Sequence, residues 1–412
     1  MHLEMEQIRK RVLEDMDLSE ENDDARLKQK IEEKVWEYGR EHLISLQEEQ
    51  KYAQEIFYSL RKLDILEELL QDDSVTEIMV NGYQKIFYEK EGRLYAWEKQ
   101  FAEREKLEDV IQKMVAKNNR VVNEAMPIAD ARLEDGSRIH IVLEPTAIDG
   151  SCITIRKFPK KPMTMERLIE LQTLSGQAAE FLDTLVKAGY NIFISGGTGS
   201  GKTTFLNALS GCIPTGERII TIEDSAELQL NGIENLIRLE TRCANVKGME
   251  EISIRDLIRA ALRMRPDRII VGECRGAEAL DMLQAMNTGH DGSLSTGHAN
   301  SCEDMLHRLE TMVLMGMELP LTAIRSQIAS GVDILIHVGR MRDGSRKLLN
   351  IMEVGEYTDG RIALHPLWEF QEKGEKGGKV IGEWKRMEEL KNTRKLEWAG
   401  IGKSLPRQAL RL

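Results

Sequence analysis

The fold is decided by Gly196-Gly197-Thr198-Gly199-Ser200-Gly201-Lys202-Thr203, which is followed by Thr204. This stretch satisfies the pattern G-x-x-x-x-G-K-[ST] of a phosphate-binding loop, or P-loop. Its glycines let the backbone turn so that the N–H groups face one concavity, and the following helix adds its positive N-terminal dipole. Lys202 is then placed for the β- and γ-phosphates of a nucleotide, and the Thr203 hydroxyl for Mg²⁺. The sequence therefore predicts an ATP and Mg²⁺ site on this loop.

The residues around the loop predict a parallel α/β sheet. An apolar segment, residues 191–194, runs directly into the loop, and an amphipathic helix leaves it. Strand and helix patterns then alternate, as is typical of parallel sheets. We expect strands at residues 192–195, 218–223, 236–240, 268–271, 293–296 and 333–338, and helices at residues 202–211, 253–262, 278–286, 302–315 and 321–330.

The remainder of the chain suggests further parts. Short strands and one helix between residues 61 and 156 predict a smaller α+β domain, and residues 1–60 have helical spacing with 16 Asp/Glu against 9 Lys/Arg. Two prolines among lysines predict a linker at residues 157–165. We therefore expect an acidic helical extension, an α+β domain, the linker, an ATPase domain at residues 166–370 and a basic tail at residues 371–412.

Carboxylates follow two of the apolar strands. Glu223, Asp224 and Glu227 come at the end of one, and Glu273 ends the Walker B-like segment that begins at Arg268. Carboxylates at the ends of parallel strands face the crevice where ligands bind. Glu223, Asp224 and Glu273 could hold Mg²⁺ through water, and a carboxylate there could orient or deprotonate an attacking water. The alternative is that these are solvated strand ends.

Two histidines, His290 and His298, bracket a stretch rich in Gly, Ser and Thr. A metal site is disfavoured, because no cysteine or third histidine lies nearby and the spacing does not suit one helix face. A lone histidine is usually structural. Two histidines after the Walker B-like segment instead suggest sensors of the γ-phosphate.

Composition excludes some classes of protein. The net charge of −12 argues against nucleic acid as the main ligand, since phosphate contacts need clustered Lys and Arg. No apolar run approaches the roughly 18–20 residues that span a bilayer. The acidic start lacks the features of a signal peptide, and the five scattered cysteines give no zinc site or disulfide framework. We expect a cytoplasmic protein that a partner could hold at the inner face of a membrane.

These segments in this order resemble the type II/IV secretion traffic ATPases: a Walker A loop, an acidic box at residues 221–227, a Walker B segment ending in Gly-Glu and a histidine box. The likeness is closest to the CpaF branch, the assembly ATPases of tight-adherence (Flp) pili, and covers about residues 60–355. Stretches that carry it are Val75-Thr76-Glu77-Ile78-Met79-Val80-Asn81-Gly82, Asp130-Ala131-Arg132-Leu133-Glu134-Asp135-Gly136-Ser137-Arg138, Ile153-Thr154-Ile155-Arg156-Lys157-Phe158, Leu239-Glu240-Thr241-Arg242, residues 261–268 and Arg325-Ser326-Gln327-Ile328-Ala329-Ser330.

The resemblance implies a homohexameric ring in which a small N-terminal domain lies above a RecA-like ATPase domain, with ATP between them. It implies that Arg132, Arg138 and Arg156 clamp the γ-phosphate or act as arginine fingers, and that Glu227 is the general base. Glu273 would support Mg²⁺ or the water. The alternative is that Arg132, Arg138 and Arg156 are surface arginines at strand ends.

The same resemblance implies an inner-membrane platform protein as partner, and ATP hydrolysis that powers Flp/Tad pilus assembly or type II secretion. A conjugative or type IV secretion ATPase, moving DNA or effectors, is the alternative within the superfamily. Gly297 stands where relatives often have a larger apolar residue, which predicts a looser loop at His298. Outside the superfamily, a RecA-like nucleic-acid motor is disfavoured by the acidic balance, and a P-loop kinase by the lack of a lid-like arginine cluster.

Overall fold

The computed structural model describes residues 2–15, 24–90, 92–116, 121–158, 163–230, 232–242 and 250–401. The chain forms two compact units, Met1–Lys160 and Lys161–Leu412. In the described part of the chain, no helix has the length and apolar character needed to cross a membrane.

The first unit begins with three helices, α1 (His2–Glu14), α2 (Asp24–His42) and α3 (Leu46–Arg61). Their apolar side chains recur at helical spacing and form a core of their own. Ser45 starts α3 with a capping box, in which its hydroxyl accepts from the backbone of Glu48 and the Glu48 carboxylate accepts from the backbone of Ser45. The helical prediction for residues 1–60 therefore holds where the structure describes them, and residues 16–23 lie outside that part.

An antiparallel sheet completes the first unit. After α4 (Leu66–Gln71), the strands are β1 (Val75–Asn81), β2 (Lys85–Lys90), β3 (Arg93–Ala96), β4 (Ile128–Arg132), β5 (Arg138–Val142) and β6 (Cys152–Arg156), with α5 (Arg104–Ala116) between β3 and β4. The strand order is β3-β2-β1-β6-β5-β4. Alternate residues such as Ile78 and Ile153 are buried against α4 and α5. The edge strand β4 has only a weak strand pattern, because just the small side chains of Ala129 and Ala131 pack against the core.

The predicted linker is shorter than expected. Lys157 belongs to the first unit, since its backbone N–H bonds to Thr76 and its Nζ to the carbonyls of Leu69 and Asp72. Met165 is already the first residue of a helix in the second unit and is buried. Residues 159–162 lie outside the described part.

The second unit is a nine-stranded sheet with helices on both faces. It starts with α6 (Met165–Glu170) and α7 (Gly176–Lys187). The elements that follow are β7 (Ile192–Gly196), α8 (Lys202–Ser210), β8 (Ile219–Glu223), β9 (Leu236–Glu240), α9 (Ile254–Ala261), β10 (Arg268–Val271), α10 (Glu278–Asn287), β11 (Leu294–His298), α11 (Cys302–Gly316), α12 (Leu321–Gly331), β12 (Ile334–Arg340), β13 (Arg346–Thr358), β14 (Arg361–Lys376), β15 (Lys379–Arg386) and α13 (Arg394–Trp398).

The strand order β15-β14-β13-β12-β7-β11-β10-β8-β9 places β7 among parallel neighbours. All its residues are buried: Ile192 and Ile194 join the apolar layer with α7 and α8, and Phe193 joins the layer with α10 and α11. Fully buried parallel strands such as β7, β8 and β10 give continuous apolar runs. The predicted bounds of β7 to β12, including the half-buried edge strand β9, agree with the structure to within two residues at each end.

The expectation of a basic tail from residue 371 is wrong for the described residues. The boundary at residue 370 falls inside β14, which pairs with β13 and β15 in the same sheet. Charges conceal these strands in the sequence, because ion pairs such as Arg342–Glu372 and Lys373–Glu383 lie along them. Further on, Leu396 is buried in the core of the second unit.

Candidate nucleotide-binding site

The P-loop connects the carboxyl end of β7 to the start of α8. Gly199 and Gly201 have φ angles of +70° and +92°, a conformation that residues with a Cβ rarely adopt. Gly196 is required for space, since a Cβ there would collide with the carbonyl oxygen of Val338 and the hydroxyl of Ser200. The loop therefore has the shape that its sequence predicts, and α8 begins at Lys202.

Lys202 is buried and turned back onto the loop. Its Nζ donates to the Gly197 carbonyl at 3.0 Å and lies 3.2 Å from Nδ1 of His298. Burial lowers the pKa of Lys202, and the carboxylate of Glu273 opposes that shift. An ammonium group can only donate, so His298 accepts through an unprotonated Nδ1 in this arrangement. The pKa of His298 is itself lowered, first by burial and then by the charge of Lys202.

Contacts with charged side chains continue from His298. Its Nε2 lies 3.0 Å from Glu273 Oε1, at ion-pair distance but without the alignment of a hydrogen bond. Arg275 donates from Nη2 to Glu273 at 2.9 Å and from Nη1 to Asp224 at 3.2 Å. Residues from the P-loop helix, β11, β10 and β8 thus meet at the carboxyl edge of the sheet.

Glu223 and Glu227 have different environments. Glu223, the last residue of β8, is buried, and its Oε2 accepts the backbone N–H groups of Glu227 and Leu228 at 2.8 and 3.0 Å. Burial raises the pKa of Glu223 to about 7. Glu227 is half-buried in the following segment. The neighbouring Gln229 bonds through its backbone to Asn207 of α8, which ties this segment to the P-loop helix.

Several buried polar atoms at this edge have no hydrogen-bond partner among the described residues. They are Ser200 Oγ in the P-loop, Glu223 Oε1 and Glu273 Oε1. Buried polar groups are nearly always paired, so such a cluster marks a place where a polar ligand fits. A Cβ at Gly197 or Gly199 would meet only open space. The residues present therefore fit a phosphate chain with Mg²⁺.

Thr203 and Thr204 follow Lys202 in the first turn of α8, where Thr203 is half-buried and Thr204 exposed. Thr198 is exposed on the loop.

Two expectations about the histidine box need correction. His290 precedes β11, and its ring contacts the carbonyl of Ala285, so it lies at the opposite edge of the sheet from the P-loop and cannot sense a phosphate there. Gly297 does not loosen a loop. It is a buried strand residue, and a Cβ there would come within 2.8 Å of Met305 and 3.0 Å of Phe193. The glycine lets these side chains pack closely beside His298.

The three predicted arginines lie in one row of the first unit. Arg132 on β4 is directly opposite Arg138 on β5, which is directly opposite Arg156 on β6. Directly opposite residues in antiparallel strands project from the same face, and like charges in that arrangement are destabilising. Glu77 on β1 is the next residue of the row and lies 3.8 Å from Arg156. Such a row suits an anionic ligand.

Arg275 was missed by the sequence analysis, although it bridges two of the predicted carboxylates. Its position two residues after Glu273 was the available signal. The contact itself depends on β8 and β10 lying side by side.

Comparisons with known proteins show the family of this chain. The model of a family described as type II/IV secretion system protein matches residues 59–379. The chain belongs to this family. A Mycobacterium tuberculosis protein provisionally assigned to conjugal transfer is 36% identical over 310 residues, covering 74% of this chain and 87% of the relative. The type IV secretion system protein VirB11 of Brucella suis is 34% identical over 333 residues, covering 73% and 91%.

The crystal structure of the pilus retraction motor PilT with bound ADP matches this member of the secretion family with a TM-score of 0.52 at 19% identity, covering 84% of this chain and 89% of that one. At that identity the match concerns the fold. The predicted fold class, a RecA-like α/β domain with a smaller α+β domain and a helical N-terminal extension, is confirmed. The predicted superfamily is confirmed as well.

Proposed function

We propose that this chain is a hexameric ATPase that hydrolyses ATP to ADP and phosphate and thereby powers assembly of a type IV (Flp/Tad) pilus, or type II secretion, at the inner-membrane platform. The observation that carries the ATPase proposal is the run of contacts from Lys202 through His298, Glu273 and Arg275 to Asp224 beside the P-loop. It brings a phosphate-binding lysine and two carboxylates to one edge of the sheet.

Each residue has a distinct part in the proposed reaction. Lys202 exchanges its contact with the Gly197 carbonyl for the β- and γ-phosphates, and the backbone of the P-loop binds the phosphate oxygens. Glu227 accepts the proton of the attacking water as general base. His298, freed from Lys202, is left to contact the γ-phosphate. Catalysis of this kind consists mainly of positioning and of stabilising charge.

Mg²⁺ would be held by the Thr203 hydroxyl and, through water, by Glu223, Asp224 and Glu273, and it would neutralise charge on the β- and γ-phosphates when bound. Glu223 suits a water-mediated role, because its Oε2 is already taken by two backbone N–H groups and Oε1 is unpaired among the described residues. Carboxylates, retained waters and substrate phosphates are the usual Mg²⁺ ligands.

The arginine row supports the proposal of a ring. Arg132, Arg138 and Arg156 concentrate positive charge on one face of the first unit. We propose that Arg132, Arg138 and Arg156 clamp the γ-phosphate of ATP or act as arginine fingers. The ADP-bound pilus retraction motor shares the fold, and this agrees with a nucleotide-driven motor.

The names of the relatives favour a second candidate, an ATPase of conjugation or type IV secretion. The Mycobacterium tuberculosis relative and VirB11 are each more than 30% identical to this chain. The CpaF-like stretches in the sequence favour pilus assembly instead. A direct nucleic-acid motor is disfavoured by the net charge of −12.

Two experiments test these proposals. Phosphate release by the purified full chain tests the ATPase activity, and Lys202→Ala is the inactive control. A chain that binds no ATP, or that transfers phosphate to a small acceptor, would overturn it. A deletion strain tests the biological role: loss of surface pili with normal mating supports pilus assembly, whereas loss of mating with normal pili supports conjugation.

A further inference from the structure

An arginine outside the predicted site lies on the P-loop. Arg346 is the first residue of β13, and its Nε donates to the Gly199 carbonyl at 3.3 Å. Its Cδ would be 3.5 Å from a Cβ placed on Gly201. The side chain is exposed, so its guanidinium is open to a ligand.

The surrounding residues hold Arg346 in this place. Its neighbour Lys347 is buried and donates to the Gln172 carbonyl, and the backbone N–H of Leu348 donates to Thr173 at 2.8 Å. Successive side chains on a strand point to opposite faces, so fixing Lys347 on one face keeps Arg346 on the other. The preceding turn is fixed by Asp343, whose carboxylate accepts from Ser345 and from the backbone of Val380 on β15.

Arg346 is on the side of the P-loop away from the phosphate chemistry. Lys202, His298 and Glu273 meet on the side of β7 occupied by β11 and β10, whereas Arg346 comes from the side of β12 and β13. If the γ-phosphate of a bound nucleotide lies among Lys202, His298 and Glu273, the nucleoside end of that nucleotide is the part left for Arg346 to contact.

A second arginine makes the position more cationic. Arg340 ends β12 directly opposite Arg346, and both are exposed. Like charges opposite one another are unfavourable in a sheet. A planar guanidinium stacks on aromatic rings, and a nucleotide offers both such a ring and negative charge beside it.

We propose that Arg346 is a nucleotide-binding residue whose guanidinium stacks on the base of the bound nucleotide. The inference rests on the proposed ATP site and identifies what binds its nucleoside half. It also gives a role in the site to the turn between β12 and β13. This turn is held in place by the bond between Asp343 and the backbone of Val380 on β15. Arg346 touches none of the predicted reacting groups, so its loss should show as weaker nucleotide binding.

The test measures the Kd for ADP by calorimetry on the full chain. Arg346→Ala should raise this Kd about fivefold, the effect of losing roughly 1 kcal/mol of stacking. Arg346→Lys should be weakened to a similar extent, because a lysine keeps the charge and lacks the planar group. Arg361→Ala removes an exposed arginine at the start of the neighbouring strand β14 and should leave the Kd unchanged.

Two results would overturn the inference. Equal ADP affinity in Arg346→Ala and the wild type would remove Arg346 from the site. Full recovery of affinity in Arg346→Lys would show that charge on a phosphate, rather than stacking on the base, is what matters. A wild-type chain that fails to bind ADP is a different outcome, since it contradicts the proposed function itself.

Discussion

Lys202 Nζ and His298 Nδ1 lie 3.2 Å apart, although 96 positions separate the two residues in the chain. The contact joins the first turn of the P-loop helix to the last residue of β11. It needs a neutral histidine, because protonation would put two cations side by side. Burial, supported by the charge of Lys202, lowers the pKa of His298 and so favours that neutral form.

This contact predicts a pH dependence. The pKa of His298 is lowered from 6.5, so its ring is neutral at pH 7. The ring becomes charged only when the pH falls below this lowered pKa. We expect kcat/KM for ATP to fall on the acid side, and His298→Gln to lose this acid limb because glutamine does not titrate. The profile is measured from about pH 5 to pH 8. An identical acid limb in the variant would assign it to another group.

Lys202→Ala should abolish ATP hydrolysis, with a loss of at least about a hundredfold, because the charge on the phosphates is removed. The helix should persist, since alanine is a good helix former and Lys202 is the first residue of α8. Phosphate release and circular dichroism measure the two properties. Lys187→Ala, which removes a lysine paired with Asp183 on the surface of α7, is the matched control and should remain active.

Glu227→Gln should bind ATP normally and fail to cleave it, because an amide cannot accept the proton of the attacking water. Nucleotide retention and phosphate release are measured on the same sample. Glu273→Gln should be less impaired if this carboxylate only supports Mg²⁺ or the water. Near-normal turnover of the Glu227 variant, with an inactive Glu273 variant, would move the general base to Glu273.

Arg132→Ala should lower kcat by roughly tenfold or more, because one cation of the row that we propose for the phosphates is lost. The second unit should fold normally in this variant, since Arg132 lies on β4 of the first unit. Steady-state kinetics give kcat, and binding of ADP reports the state of the P-loop. An unchanged kcat would remove Arg132 from the site.

Lys395→Met should destabilise the second unit. Lys395 contacts Asp333 at 2.7 Å and Asp291 at 2.6 Å, and removing one partner of a nearly buried ion pair costs about 3 kcal/mol. Burial raises the pKa of Asp333, an effect that Lys395 opposes, so the variant should raise it further. Because the raised pKa keeps Asp333 from ionising easily in the folded protein, the folded state loses stability relative to the unfolded state as the pH rises.

Thermal unfolding of Lys395→Met should therefore show a larger deficit at pH 7 than at about pH 5. Lys391→Met changes a more exposed lysine of the same segment and serves as control. A deficit that does not vary with pH would show that Asp333 is not the group responsible.

The predictable parts of the fold were the ones with strong local patterns. The P-loop could be read from eight residues because its fixed positions, from Gly196 to the Gly201-Lys202-Thr203 end, each have a backbone or phosphate-binding reason to be there. The apolar runs of β7, β8 and β10 followed from burial on both faces. By contrast, β14 and β15 are charged along much of their length, and their pairing partner β13 was itself not predicted, so nothing local distinguished them from a tail.

The sequence by itself determined that a nucleotide phosphate site sits between a buried strand and a helix, with carboxylates and a histidine available at neighbouring strand ends. Only the tertiary structure decided which of these meet. It placed His298 against Lys202 and His290 at the other edge of the sheet. The two histidines are separated in this way because they lie at opposite ends of β11, which runs parallel to β7. It also brought Arg275 to two carboxylates and Arg346 to the P-loop, since contacts between distant segments depend on strand order, which local sequence patterns do not encode.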